Sequence, residues 1–329
     1  MIRICARATP RSILRPQAVV RSFSTTKWLR EDPRIQDLGK VIEDEFAAIR
    51  EHYDTPKHTL ILAHGLLGFD ELRIGGQYLP GLHYWRGIKE ALAHKGIEVL
   101  VAAVPPSGSI EARAEKLANS ISEKAKGKDV NIIAHSMIAE HFTKRSSGLD
   151  SRYMISRLKP LDFNVLSLTT IATPHRGSAF ADYMFESIGP RQIKRIYKVM
   201  ESFGFETGAF SQLTRQYMTE TFNPETPDVD GVRYYSYGAS LEPSSWSVFA
   251  ASHSIIKRIE GGVNDGLVSV PSSQWGDYKG TLIGVSHLDL INWTNRLKWW
   301  IWELTGGKRK FNAIAFYLDI SDMLAKEGL

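Results

Sequence analysis

From His58 onward, short β-branched apolar runs alternate with amphipathic segments, and this alternation restricts the chain to a parallel sheet covered by helices. The runs Thr59 to Ala63, Val99 to Val104, Val130 to Ala134, Val165 to Ala172, Val232 to Tyr237 and Thr281 to Val285 have strand length. Helical spacing marks the segments near Tyr84 to Lys95, Ile110 to Ala125 and Leu288 to Leu304. The expected class is α/β, with a mostly parallel sheet and helices on both faces. Between Ser178 and Gly231 no strand-like run occurs, and Tyr183, Met184, Phe185, Ile196, Tyr197, Met200, Phe203 and Phe210 recur among charges at loosely helical spacing. That interval reads as a helical insertion over the carboxyl edge of the sheet, where α/β sites form. Helices that simply pack on the core are the other reading.

Charge is distributed unevenly. The 329 residues carry a formal net charge of +5, which invites a nucleic-acid partner. Residues 1 to 30 hold Arg3, Arg7, Arg11, Arg15, Arg21, Lys27 and Arg30 with no acidic residue, and end in the hydroxyl-rich run Ser22-Phe23-Ser24-Thr25-Thr26. Such a segment reads as a mitochondrial transit peptide over residues 1–23, with cleavage expected before Ser24. Cleavage there brings Lys+Arg from 41 down to the 36 of Asp+Glu. The basic excess then belongs to the address signal, no nucleic-acid partner is expected, and the alternative reading is a disordered basic arm. Cys5, the one cysteine, lies in this leader, so the mature chain is expected to have no disulfide, thiol nucleophile or cysteine-ligated zinc. No stretch reaches the roughly 18 apolar residues of a membrane span, so contact with a lipid surface is expected to be peripheral. Residues 24–57 are charged and read as a helical lead-in outside the sheet, before a single domain over 58–329.

The run Asn131-Ile132-Ile133-Ala134-His135-Ser136-Met137 places a serine just past a buried strand. A nucleophilic serine on a tight strand-to-helix turn needs small residues two before and two after it, because the helix passes close to the strand. Ala134 meets the first requirement. Ile138 does not meet the second.

At this point the chain resembles the α/β-hydrolase lipases, specifically bacterial true lipases and fungal mitochondrial triacylglycerol lipases. The resemblance rests on Leu62-Ala63-His64-Gly65-Leu66-Leu67-Gly68-Phe69, Asn131 to Met137, Gly148-Leu149-Asp150-Ser151-Arg152-Tyr153, Ala172 to Ser178, Asn264-Asp265-Gly266-Leu267-Val268 and His287-Leu288-Asp289, in family order. In the family pattern the His-Ser-Met step is followed directly by Gly-Gly-Leu-Asp-Ser-Arg-Tyr. Here the ten residues Ile138 to Ser147 replace one of those glycines. So compact a replacement has the form of a misplaced splice boundary; taken literally, it lengthens the start of the helix that orients Ser136.

The resemblance implies an α/β-hydrolase fold in which 178–231 is a lid, and a serine hydrolase with Ser136 as nucleophile, Asp265 as acid and His287 as base. A serine hydroxyl needs a histidine to take its proton, and the histidine needs a carboxylate to hold its tautomer. This fold presents the three in the chain order serine, acid, histidine. The backbone amides of Leu66 and Met137 are the implied oxyanion donors. His64 and His135 flank these motifs, and His175 is expected to pack or hydrogen-bond. Asp-Gly is also common turn chemistry, which is the simpler reading of Asp265-Gly266 alone.

No cofactor is required by this chemistry, and no zinc, nucleotide or flavin signature is present. Bacterial relatives hold a structural calcium near the histidine loop, and Asp289 and Glu242 stand near the corresponding positions, with Trp293 where those relatives offer an amide. The expected partners are an acylglycerol or other lipid ester and a lipid surface. The implied activity is hydrolysis of long-chain acylglycerols. Two rivals remain open: a catalytically impaired lipid-binding protein of the same fold, favoured by Ile138 to Ser147, and a phospholipase or acyltransferase on the same triad.

Overall fold

A computed structural model describes residues 38–64, 71–72, 82–85, 87–104, 108–138, 144–184, 186, 211–244, 247, 249–292 and 311–329. The expected transit peptide, Leu66 and part of the expected lid, 185 and 187–210, lie outside them. The strands are β1 (Val41–Ile42), β2 (Thr59–His64), β3 (Glu71–Leu72), β4 (Leu82–His83), β5 (Val99–Ala103), β6 (Val130–Ile138), β7 (Lys144–Ser146), β8 (Val165–Ile171), β9 (Arg233–Ser240) and β10 (Asp277–Ile283). Seven of them form the main sheet in the order β1-β10-β9-β8-β6-β2-β5, and each neighbouring pair is parallel. The expected parallel α/β sheet is the observed one.

Both faces of the sheet are covered, and β2 shows why. All six of its residues are buried, and alternation sends Leu60 and Leu62 to one face while Ile61 and Ala63 face the other. On the first side lie α1 (Ile88–His94) and α5 (Ala313–Lys326), which contribute Ile88, Leu92, Phe316 and Tyr317. On the second lies α2 (Ile110–Ala125), whose Ala114, Leu117, Ile121 and Ala125 form one buried stripe. Ser109 caps α2 by accepting from the Ala112 N–H at 3.3 Å. Next to it, α3 (Ser147–Tyr153) continues into a π-helical turn at Met154–Leu158. The fourth labelled helix, α4 (Ala250–Glu260), ends at Gly261 in the left-handed conformation.

Three sequence expectations change. The lead-in is not helical across 38–57: it supplies the edge strand β1, with Ile42 buried, and then ties to α5 through Arg50, which pairs with Asp319 and, at 3.0 Å, with Asp322. A short β-rich pair on an open sheet edge overrides the charged, helix-prone composition around it. The segment after His287 makes one 3₁₀ turn at Asp289–Ile291, and Asn292 takes a left-handed φ of 65°, so no helix runs unbroken from Leu288. The third change is at Ser136. β6 does not stop there but runs on to Ile138 and folds back as β7, with Ser136 opposite Ser146, Met137 opposite Arg145 and Ile138 opposite Lys144. The described ends of the inserted segment, Ile138 and Lys144–Ser146, therefore pair as antiparallel strands instead of extending the helix start, as suits the β-branched Ile138.

Candidate active site

Chain order places the site before any side chain does. From β2 the chain moves outward to β5, then crosses back to β6 on the other side of β2, so the topology switches direction between β2 and β6. Crevices at such switch points, beyond the carboxyl ends of the strands, are where α/β sheets bind ligands. His64 ends β2, and His135 and Ser136 lie at the same level of β6, with His64 opposite His135 in the register.

The acid and base meet there. Asp265 and His287 are both fully buried, and Asp265 Oδ2 lies 2.6 Å from His287 Nδ1. The other oxygen, Oδ1, accepts the backbone N–H groups of Leu267 at 2.9 Å and Val268 at 2.8 Å. These two bonds fix the carboxylate and leave Oδ2 directed at the imidazole. The turn needs glycine at 266, where φ is 101° and a Cβ would sit 2.6 Å from Phe249 Cβ. The His287 backbone N–H also donates to the Asp265 carbonyl at 3.2 Å, which ties the two loops together.

Ser136 reaches this pair by its backbone. His287 Nε2 contacts the Ser136 carbonyl oxygen, in a bond in which only the nitrogen can donate. The strand path through Ser136 has this consequence: the carbonyl, rather than Oγ, is what β6 presents to the histidine. The helix expected after the serine is nevertheless in place. Ser147 Oγ sits 2.9 Å from the Ala63 carbonyl and 2.7 Å from the His135 carbonyl, joining the start of α3 to the ends of β2 and β6. Gly148 follows, where a Cβ would lie 2.3 Å from Thr173 Oγ1. The hairpin thus leaves and re-enters the fold at adjacent points, and the close helix-to-strand approach typical of a nucleophile turn survives on its far side. Met137 lies in β6, paired with Arg145, so its amide belongs to a strand instead of a helix start.

Several supporting contacts join motif residues to partners outside any motif. Arg113 of α2 clamps Asp150 of α3 with two nitrogens, Nη2 at 2.5 Å and Nε at 3.1 Å, in a fully buried pair. Arg152 reaches Asn223 Oδ1 at 2.8 Å and the Thr226 carbonyl at 3.0 Å, with its guanidinium 3.5 Å from the Trp275 ring centre. His175 stacks on the same ring and makes a 2.9 Å bond with Thr170 Oγ1, the packing and hydrogen-bonding role expected of it. Tyr84 OH lies 2.8 Å from His135 Nδ1, and desolvation pushes His135 well below its ordinary titration range, with the neighbouring His287 adding to the effect.

The calcium donors do not assemble. Glu242 is exposed and paired with Lys257 at 3.0 Å. Asp289 turns its Oδ2 to the Ser286 N–H at 3.0 Å and hydroxyl at 2.6 Å. Among the described residues no cluster of three His, Cys, Asp or Glu is arranged to hold a metal. As placed, these side chains do not fit a calcium ion, which takes six to eight oxygen ligands.

No family model matches the sequence. Individual relatives do. The chain is 36% identical over 327 residues to triacylglycerol lipase 2 of Saccharomyces cerevisiae, covering 85% of this chain and 95% of that one. The chain belongs to the triacylglycerol lipase family. It is also 25% identical to a triacylglycerol lipase of Pseudomonas fragi, over 83% of this chain and 98% of that one. Among solved structures, Staphylococcus hyicus lipase aligns with a TM-score of 0.56 at 19% identity, over 85% of this chain and 98% of that one. The metagenomic carboxyl esterase MGS0156 aligns with a TM-score of 0.59 at 15% identity, over 83% and 78% of the two chains. The shared architecture is the α/β-hydrolase fold, and the family's members are carboxylic ester hydrolases.

Proposed function

We propose that this chain is a serine lipase acting on long-chain acylglycerols, with Ser136 as nucleophile, His287 as base and Asp265 as the acid that orients it. The observation that carries this reading is the buried 2.6 Å contact between Asp265 and His287, set against the Ser136 backbone. In the reaction, Ser136 Oγ attacks the ester carbonyl while His287 Nε2 takes the hydroxyl proton. The same proton passes to the departing glycerol oxygen, leaving an acyl-enzyme that water hydrolyses by the same relay. The amides of Leu66 and Met137 are the proposed oxyanion donors. Nε2 must first leave the Ser136 carbonyl and give its proton to solvent, because an imidazole with both nitrogens protonated has no lone pair to accept one from Oγ. The carbonyl contact also favours a second reading, a lipid-binding member of the family with impaired hydrolysis.

The ester is proposed to be presented at a lipid surface. Around the insertion, Leu149, Ala181, Leu213, Met218 and Phe222 form an apolar cluster of their own beside the main core. A lid over 178–231 that opens needs an apolar destination for its apolar face, so hydrolysis of a sparingly soluble ester is expected to rise several-fold as it passes from solution into micelles or droplets. Rates measured across the solubility limit, on glycerides, phospholipids and short esters, check both the lid and the headgroup. Equal rates on dissolved and aggregated ester are the result that marks an esterase with an open site.

We also place the mature protein in mitochondria, on the acid-free, arginine-rich leader. Amino-terminal sequencing of the mitochondrial form is expected to begin near Ser24, and an intact Met1 on that form counts against the leader.

A further inference from the structure

We propose that Tyr84 and His135 are a positioning pair for His287: the Tyr84 hydroxyl donates to His135 Nδ1, fixing the proton of His135 on Nε2, and the ring so held braces the base. The inference rests on the reading of His287 as the base. Its geometry joins three elements. His135 is the residue before Ser136 on β6, Tyr84 precedes α1, and His287 follows β10. The His135 and His287 rings lie 4.8 Å apart at 44°, and Tyr84 OH is 2.8 Å from His135 Nδ1.

Tyr84 is itself immobilised, with the His64 ring 5.1 Å away and Trp85 edge-on at 4.9 Å. Burial raises its hydroxyl well above the usual phenol range, so it remains a donor. Burial holds the His135 ring in its neutral form, and its Nε2, on the side away from Tyr84, has no hydrogen-bond partner among the described residues. With the Tyr84 hydroxyl donating to Nδ1, the single proton of the neutral ring lies on Nε2. A residue present only to fill space would not need this polarity. Burying an incompletely satisfied imidazole costs free energy that an apolar ring of similar size avoids. The neutral ring gives the His287 loop a fixed, uncharged wall, so positive charge formed during the reaction stays on His287 alone.

Nitrogen-15 imidazole spectra of the full-length chain test the pair without requiring activity. His135 is expected as the Nε2–H tautomer, and Tyr84→Phe is expected to mix its tautomers and to shift the His287 ring signals, including the Nδ1 proton shared with Asp265. A His135 found as the Nδ1–H tautomer, or His287 signals unmoved by Tyr84→Phe, overturns the proposal. Kinetics on the chain carrying one glycine in place of Ile138 to Ser147 supply the second readout. Tyr84→Phe is expected to lower kcat about tenfold at constant KM, the signature of a misplaced base. That loss should vanish in a His135→Phe background, and His135→Gln, which keeps an N–H, should recover part of it. A change confined to KM, or losses that add independently, overturns the proposal. If Ser136→Ala abolishes turnover while Tyr84→Phe does nothing, the pair fails and the triad stands; if Ser136→Ala is also silent, the triad itself has failed.

Discussion

Replacing Ile138 to Ser147 by a single glycine is expected to raise ester hydrolysis by about 10²- to 10³-fold, the range associated with restoring one misplaced oxyanion donor. The hairpin makes two contributions to the deficit. It holds Ser136 in strand geometry, opposite Ser146, so that the serine carbonyl occupies His287 Nε2. It also puts Met137 in the β6–β7 ladder, away from the helix start that would direct its amide at an oxyanion. The replacement joins Met137 to Gly148 through the new glycine, across strands that the Ser136–Ser146 pairing already holds side by side, and it removes Ser147 from the start of α3 with its bonds to the Ala63 and His135 carbonyls. Gly148 already makes the tight approach to Thr173, and the new glycine gives the turn the conformational freedom that Ile138 denies it. Turnover of both chains on one emulsified triglyceride, with melting curves to confirm folding, checks the result. Equal rates would show the hairpin to be a tolerated loop that opens by itself. Two folded but inactive proteins would favour the lipid-binding reading.

The limits of sequence reading lie in the same region. Alternating strand and helix patterns located β2, β5, β8, β9 and the start of β6 to within a few residues, most clearly in β2, which is buried along its whole length and reads as an apolar run. Asp265 and His287 were legible through their order and the resemblance to the lipase blocks, since Asp265-Gly266 alone reads as turn chemistry, and the structure brings the two together. The hairpin was not legible. Its path depends on whether the chain beyond Ser136 finds a strand partner, and Lys144–Ser146 provides one only after the chain has turned back. The edge strand β1 was missed for a similar reason: two residues gain strand identity from pairing with β10, not from their own periodicity. The Arg113–Asp150 clamp and the Tyr84–His135 contact join residues 37 and 51 positions apart, and no local spacing rule reports such pairs.

Asp265→Asn in the shortened chain is expected to lower kcat by about 10⁴-fold while leaving the fold intact. The asparagine can retain the role of Oδ1, which accepts from Leu267 and Val268, so the turn that positions residue 265 keeps its two backbone bonds. What changes is the group facing His287 Nδ1. An amide NH₂ in place of Oδ2 offers a donor, and the imidazole answers by turning its lone pair to it and placing its own proton on Nε2. A histidine in that tautomer cannot take the Ser136 proton, and the imidazolium formed during attack loses its counter-charge. Ser136→Ala and His287→Ala should each reduce turnover to the level left by the oxyanion hole and binding alone. Any two of the three changes together should cost little more than the worst single one, because residues acting as a unit do not contribute additively. Single-turnover rates on a water-soluble ester separate this chemical loss from weakened binding. A loss below tenfold for Asp265→Asn, or independent and multiplicative losses for the three positions, would mean that the buried Asp265–His287 contact supports the fold and that hydrolysis proceeds through other residues.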